Sequence, residues 1–505
     1  MEAILTIDIN TTSVKVQVYQ LGGQFLYQKQ GSYPTFHPHP EWSEQDPEQV
    51  YITTLFVVKT LINEFVHPNK IKILSIGFSG SMHSVLPVNA KGIPLGQAII
   101  WADNRGQNQV KKMKDSGLQT LVYTQTGTPI HPMSPLMKVA WIESNKQIFS
   151  EKIAKYISLK EYILFQLTGQ YLVDESMASS TGFLDISSKK WATNSLDFAN
   201  ISANHLSEVC SVFDASLKLK PEIAKSWGIS PETKLIIGAT DGCLATLGAG
   251  ILTEGKAVIS IGASSAVRVA GKQILEDSQQ RLFNYLLSDQ CYISGGPGNN
   301  AGVVFEWFAK EFGDFSEHSY IEEVLDEIFQ KIESIPLGAD GLLFLPYLLG
   351  ERAPIWNADA RGSYFGLHIK HTKSHLARAT LEGILLGVYS IGKMLSEFRE
   401  IDEIRINGGF ASHPLCVQML SDIFGKRITA NLGYDGVGQG TALLTLTQMG
   451  IFENLNTAVK SLTFHQEWLP NAENHEKYQA YFHLFENLTK KLDEEFEYLA
   501  KLRNL

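Results

Sequence analysis

Residues 5–28, LTIDINTTSVKVQVYQLGGQFLYQ, carry the pattern that decides the fold. Apolar residues dominate 4–9 and alternate with polar ones over 14–19, which predicts two β-strands. Asn10, Thr11, Thr12 and Ser13 make a tight polar turn between them, and Gly22-Gly23 turns the chain into a third strand. A second stretch, residues 255–272, GKAVISIGASSAVRVAGK, repeats the arrangement with Gly262, Ala263, Ser264 and Ser265 at its turn. Alone, a turn rich in threonine and serine joins ordinary strands more often than it binds phosphate. Two such turns facing each other would offer main-chain N–H groups, hydroxyls and Lys15 to a polyphosphate, with Asp8 placed to hold its metal through water. The pair is a candidate nucleotide clamp.

A chain of 505 residues is too long for one core, so two large domains are expected. With 44% hydrophobic and 19% charged residues, the composition is that of a soluble globular protein. No apolar run is long enough to cross a bilayer, and no secretory signal is visible. Cys210, Cys243, Cys291 and Cys416 are scattered without CxxC spacing, which fits reduced thiols in a cytoplasm rather than a disulfide framework or a zinc site. A formal net charge of −10 argues against nucleic acid or an anionic membrane as the main partner. Small anions remain compatible, because a site's local field can differ from the global balance.

Strand-like and helix-like segments alternate along the first half. Residues 72–78 and 98–101 read as strands, and 48–65 carries helical spacing after an acidic start. Residues 235–242, LIIGATDG, form a strand ending in a polar turn, followed by a helix of small residues. After the second hairpin come helices over 302–312, 374–398 and 414–424, a strand over 403–407, and a helical tail from about 473. Hairpin, then strand and helix, occurring twice, predicts an internally duplicated α/β fold with a cleft between halves that meet near residue 250.

Two longer patterns point to a family. His131-Pro132-Met133-Ser134-Pro135 with Lys138 and Trp141, and Gly362-Ser363-Tyr364-Phe365-Gly366-Leu367 with His375-Leu376 and Ala379-Thr380-Leu381-Glu382, resemble the two signatures of the FGGY carbohydrate kinases. The resemblance covers nearly the whole chain. It implies the two-domain actin-like ATPase (ribonuclease H-like) fold, with a sugar-binding domain over 1–249 and a nucleotide-binding domain over 250–505. ATP and Mg²⁺ are the implied cofactors, a sugar or sugar acid the implied substrate, and a homodimer one implied assembly. Within the family, SGSMHS, IIWADNR, TGTPIHPM and ISLKEY look most like gluconate kinases, while several of these pieces also resemble xylulose kinases.

Phosphoryl transfer to a sugar hydroxyl needs a base, charge stabilisation on the phosphates, and exclusion of water. Asp241 closes a buried strand, where its carboxylate can project into a cleft; equally, an aspartate there can cap the following helix. The resemblance makes it the proton acceptor and a substrate contact. The resemblance also places Asp8 at the water-mediated Mg²⁺ position and Thr11, Thr12, Ser13 and Lys15 at phosphate positions. Gly262, Ser264, Gly302, Glu306, Gly408 and Gly409 fall on its nucleotide positions. Asn10 stands where the family usually has glycine, and a tolerance of positive φ would preserve the turn. Ala263 stands where a threonine is usual, leaving Ser264 or main-chain N–H groups to contact phosphate. Gly436 to Gly440 reads as close helix packing, outside the site.

For the sugar, Met82 and His83 match the family's Met-His pair, although a lone histidine after a strand is more often structural. Asp103 is expected to accept from vicinal hydroxyls, and Arg105 to give a bidentate contact to the acid end of an aldonate. His131 is a further candidate, with packing on Pro132 the competing reading. Trp101 reads as core. Outside the enzyme class, Asn10 and Ala263 would suit an ATP-binding regulatory protein that has lost catalysis, but Asp8, Lys15 and Asp241 argue against that.

Overall fold

The structure, a computed structural model, describes residues 1–149, 151–313, 321–409, 413–430 and 435–503. The alternating pattern of the first hairpin becomes the strands Glu2–Ile9 and Ser13–Gln20, continued by Phe25–Ser32. After its first residue Glu2–Ile9 is buried throughout, as a strand covered on both faces must be. It pairs antiparallel with Ser13–Gln20 and parallel with Lys72–Gly80, which pairs parallel with Lys234–Thr240. The sheet order is Lys234–Thr240, Lys72–Gly80, Glu2–Ile9, Ser13–Gln20, Phe25–Ser32. Helix Pro47–Leu61 is capped by Asp46, whose side chain accepts from Glu48 N and Gln49 N. It buries Val50, Val57, Val58 and Leu61 in the same core as Ile7, Val16 and Phe78, and its last turn winds on as a π-helix, Ile62–Val66. Each such fully buried side chain contributes about 1.5–3 kcal/mol, which penalises any slip of register.

That register matters for chemistry. Asp8 lies opposite Lys15 on one side and Ser79 on the other, while Thr240 lies beside Gly80. Three parallel strands therefore end together, at the edge where open α/β sheets gather their ligands.

By its contacts the chain forms two compact units. The first comprises Met1–Leu252, Gly271–Ser294 and Asp435–Leu462, and the second Thr253–Ala270, Gly295–Tyr434 and Thr463–Leu505. The halves expected at 1–249 and 250–505 are continuous, whereas the units are not: two later segments pack with the first. One of them holds the helix Gly436–Gln448, which lies directly on the helix Asp241–Gly248. A Cβ at Gly440 would sit 1.9 Å from the Leu244 carbonyl oxygen, and one at Gly248 1.9 Å from that of Gly436. The close packing read from 436–440 is present, and its partner is the helix that follows the catalytic candidate. Gly440→Ala is expected to cost about 1–3 kcal/mol through overpacking, seen as a lower thermal midpoint.

The second unit repeats the plan. The hairpin Gly255–Ile261 and Ser265–Gly271 is antiparallel, and its first strand runs parallel to Ile401–Asn407, which runs parallel to Arg427–Ala430. A hairpin followed by two parallel strands is the same arrangement as in the first unit, so the predicted duplication is structural. The expected helices appear as Gly302–Phe312, Lys373–Ser396 and Pro414–Phe424, and the tail as Ala472–Lys491 and Asp493–Arg503. All four cysteines are free thiols. No described helix is long and apolar enough to cross a membrane.

Candidate functional site

Asp8 is buried near the end of its strand, its Oδ1 has no hydrogen-bond partner, and Ser79 lies opposite it across the parallel pair. Burial, then the nearby Asp435 and Asp241 carboxylates, push the Asp8 pKa from an ordinary 3.8 up to about 7. The Ser79 hydroxyl and the Lys15 ammonium pull the other way. Asp241 is the first residue of its helix and Thr240 occupies the N-cap, so the competing reading of Asp241 as the cap is not realised. Its Oδ1 accepts from Gly242 N at 2.7 Å. Lys15 Nζ, expected on phosphate, pairs here with Asp435 Oδ2 at 2.6 Å. The other Asp435 oxygen caps the helix Gly436–Gln448, accepting from Val437 N at 3.0 Å and Gly438 N at 3.3 Å.

The turn of the first hairpin is held without the positive φ expected of Asn10, which is not among the left-handed residues. Instead Asn10 N donates to Ser13 O at 3.0 Å, and the Tyr33 hydroxyl donates to the Asn10 and Ser13 carbonyls. Thr11 Oγ1 accepts from Trp101 Nε1 at 2.9 Å, and Ser13 Oγ from Gln30 Nε2 at 3.0 Å. Thr12 is exposed. Trp101, read as core, is only half-buried and serves to tie its loop to the hairpin turn.

The chain leaving Lys72–Gly80 stays against this hairpin, since Ser81 N donates to Ile9 O at 2.9 Å. Met82 is half-buried. His83 is buried with φ 69°; its Nδ1 lies 2.9 Å from Ser180 O, and its ring is 5.3 Å from that of Phe283. Asp103 is fully buried and accepts from Ser43 N at 2.7 Å and from Arg105 N, Nε and Nη2 at 3.0, 2.9 and 2.7 Å. Arg105 also reaches Glu44 at 2.5 Å, and its guanidinium lies 3.8 Å from the Trp42 ring centroid and 5.1 Å from that of Trp141. The two residues expected to meet hydroxyls and a substrate carboxylate hold each other in this structure. His131 is half-buried and its Nδ1 accepts from Met133 N at 3.2 Å.

In the second unit, the hairpin turn, one helix start and one glycine pair converge. Gly302 N donates to Gly262 O at 2.9 Å and Val303 N to Ala263 O at 3.1 Å, which seats the helix Gly302–Phe312 on the turn that carries Ser264. Glu306 is exposed one turn along. Gly408, with φ 102°, follows the strand Ile401–Asn407; a Cβ there would lie 2.2 Å from Ile261 O. Backbone crowding therefore requires that glycine whether or not a nucleotide is bound. At Gly409 a Cβ would meet nothing within 4 Å.

Residues 3–248 match the N-terminal domain of the FGGY family of carbohydrate kinases, and residues 257–449 match its C-terminal domain. The chain belongs to the FGGY family of carbohydrate kinases. As a member it is a sugar kinase, in a family whose phosphate donor is ATP. It is 35% identical to a gluconokinase of Bacillus subtilis (strain 168), over 98% of this chain and 97% of that one. It is 29% identical to a xylulose kinase of Staphylococcus xylosus, over 97% of this chain and 100% of that one. Two Lactobacillus acidophilus crystal structures, a ligand-bound xylulose kinase and a gluconate kinase, each superpose with a TM-score of 0.91 at 29% identity. They cover 99% of this chain, and 100% and 99% of theirs.

The FGGY signatures turn out to be partly structural. Glu382 is buried and accepts from Arg378 Nε at 2.9 Å, Gly338 N at 3.1 Å and the Tyr478 hydroxyl at 3.1 Å. Among the described residues no three histidine, cysteine, aspartate or glutamate side chains converge to cage a metal directly. The unpartnered, buried Asp8 Oδ1 among neighbouring carboxylates does suit a hydrated Mg²⁺, which keeps several waters and takes one or two carboxylates. Asp435 and Ser79 escaped the sequence reading. An aspartate directly before Gly436-Val437-Gly438 is a helix-start signal that would have found the first.

Proposed function

We propose that this FGGY kinase phosphorylates gluconate at the C6 hydroxyl, giving 6-phosphogluconate and ADP. The observation that carries the mechanism is the meeting of Asp8, Lys15 and Asp241 where parallel strands end. Asp241 takes the proton from O6, O6 attacks the γ-phosphorus of ATP in line, and the bond to the ADP oxygen breaks. Thr12 and Lys15 are the proposed phosphate contacts of the first unit; within the second unit, Gly262, Ser264, Gly302, Gly408 and Gly409 are by themselves a proposed nucleotide-binding surface. Lys15 would exchange Asp435 for phosphate oxygens. Mg²⁺ held through water by Asp8 would supply positive charge to the phosphates when bound. Met82, His83 and the braced Asp103–Arg105 pair form the proposed sugar wall, and His131 a neighbouring candidate.

Greater identity to gluconokinases than to xylulose kinases supports gluconate as the acceptor. Equal superposition on a xylulose kinase keeps a ketopentose as the second reading. The test is ADP release from ATP·Mg²⁺ with gluconate, xylulose, ribulose and glycerol. The expected result is a kcat/KM for gluconate about tenfold or more above the others. Preference for xylulose would keep the mechanism and move the substrate. ATP binding with no sugar-dependent turnover would favour a regulatory protein instead.

A further inference from the structure

Lys138 lies on the helix Pro135–Ser144 and is fully buried. The comparably buried Lys160 pairs with Asp174 at 2.7 Å, as a buried ammonium ordinarily must. Lys138 instead donates to two main-chain carbonyls, His83 O at 2.6 Å and Ile100 O at 2.7 Å. Those carbonyls belong to the two loops of the proposed sugar wall. A bridge between Val85 and Ile99, with both main-chain hydrogen bonds at 2.8 Å, already joins the loops at one end. Beyond that bridge the loops carry Met82 and Asp103, and Lys138 is a second tie between them.

Burial draws the Lys138 pKa down to about 7, with Asp103 opposing and Arg105 adding to the fall. A neutral amine still carries two N–H donors, so both bonds survive in either form. A carboxylate partner would have oriented the amine toward one point. Two carbonyl partners make it a spacer.

We infer that Lys138 is a positioning residue for the sugar: it fixes the separation of loops 81–84 and 99–105, so that residues on both meet one substrate. This rests on the sugar wall proposed above. It extends that reading by assigning a role to a side chain that touches no substrate.

The test compares Lys138→Met with Ile142→Ala, a cavity variant at a buried position on the same helix. Lys138→Met is expected to raise the gluconate KM by about tenfold or more and leave the ADP dissociation constant within about twofold. Ile142→Ala is expected to lower the thermal midpoint while the gluconate KM stays within about twofold. A gluconate KM unchanged in Lys138→Met, or an ADP constant that moves as much, would overturn the inference. Should Lys138→Met not fold, hydrogen exchange on the wild-type protein decides. Gluconate should protect segments 81–85 and 99–105 together, and protection of one alone would overturn the coupling. If neither segment responds to a sugar that is turned over, the sugar wall itself is misplaced and the inference falls with it.

Discussion

Asp241→Asn is expected to lower sugar phosphorylation by about 10²- to 10⁴-fold, the range over which a positioned general base contributes. The substitution keeps the shape of the side chain and leaves an oxygen to accept from Gly242 N, as Asp241 does at 2.7 Å. Asp241 lies in the first turn of the helix Asp241–Gly248, behind the N-cap position Thr240, and the contact to Gly242 N that it makes there needs only the oxygen that asparagine retains. Removal of the charge should therefore act on chemistry and not on folding. Measured as kcat at saturating ATP and sugar, the loss should leave both dissociation constants within about threefold of wild type. A variant with near wild-type kcat would remove Asp241 from the proton-transfer step and leave it a contact residue.

Asp8→Asn is expected to raise the thermal midpoint of the nucleotide-free protein at pH 8 while lowering its activity. The sign follows from the direction of the shift. Burial and two neighbouring carboxylates raise Asp8 from 3.8 to about 7, so the folded chain binds this proton more tightly than the unfolded chain. Stability from this group is full below pH 4 and is lost as pH rises toward and through 7. A shift of about three units corresponds to roughly 4 kcal/mol of penalty for the ionised form at pH 8. Asparagine carries no such penalty, so the advantage of the variant should grow between pH 5 and pH 8. Mg²⁺ with ADP should stabilise the wild type and do so much less for the variant. Equal midpoints at both pH values would show that Asp8 ionises in the folded protein without penalty.

Much of the architecture was legible because hydrophobic period and turn chemistry agree along the chain. Residues 5–28 announce their hairpin through alternation and a polar turn, and 302–312 and 414–424 are helices with the expected ends. The place of Asp241 directly after an apolar strand was legible in the same way, whereas its role as the base rests on the family resemblance and is a proposal. What sequence hides is the partner of each polar group. Arg105 and Asp103 are two residues apart and pair with each other, an arrangement that spacing permits but does not dictate. Trp101 looks like core by its type, yet its indole N–H finds Thr11, ninety positions away. Lys15 meets Asp435 across a separation of 420 residues, and no local pattern links them. The division into units is invisible for a similar reason, since helix Gly436–Gln448 joins the first unit through glycines that meet a backbone far back in the chain.

That late helix has a consequence for how the protein is made. A ribosome finishes the sheet of the first unit when it reaches Thr240, but the segment that covers Leu244 and holds Lys15 is translated only after residue 435. Domains ordinarily fold in order as they emerge. Here the N-terminal unit has to wait, with a glycine-lined surface uncovered, until its last segment through Leu462 has been synthesised. Fragments that stop near residue 250 should therefore need chaperones, and a soluble version of the first unit would have to carry residues 435–462 grafted back onto it.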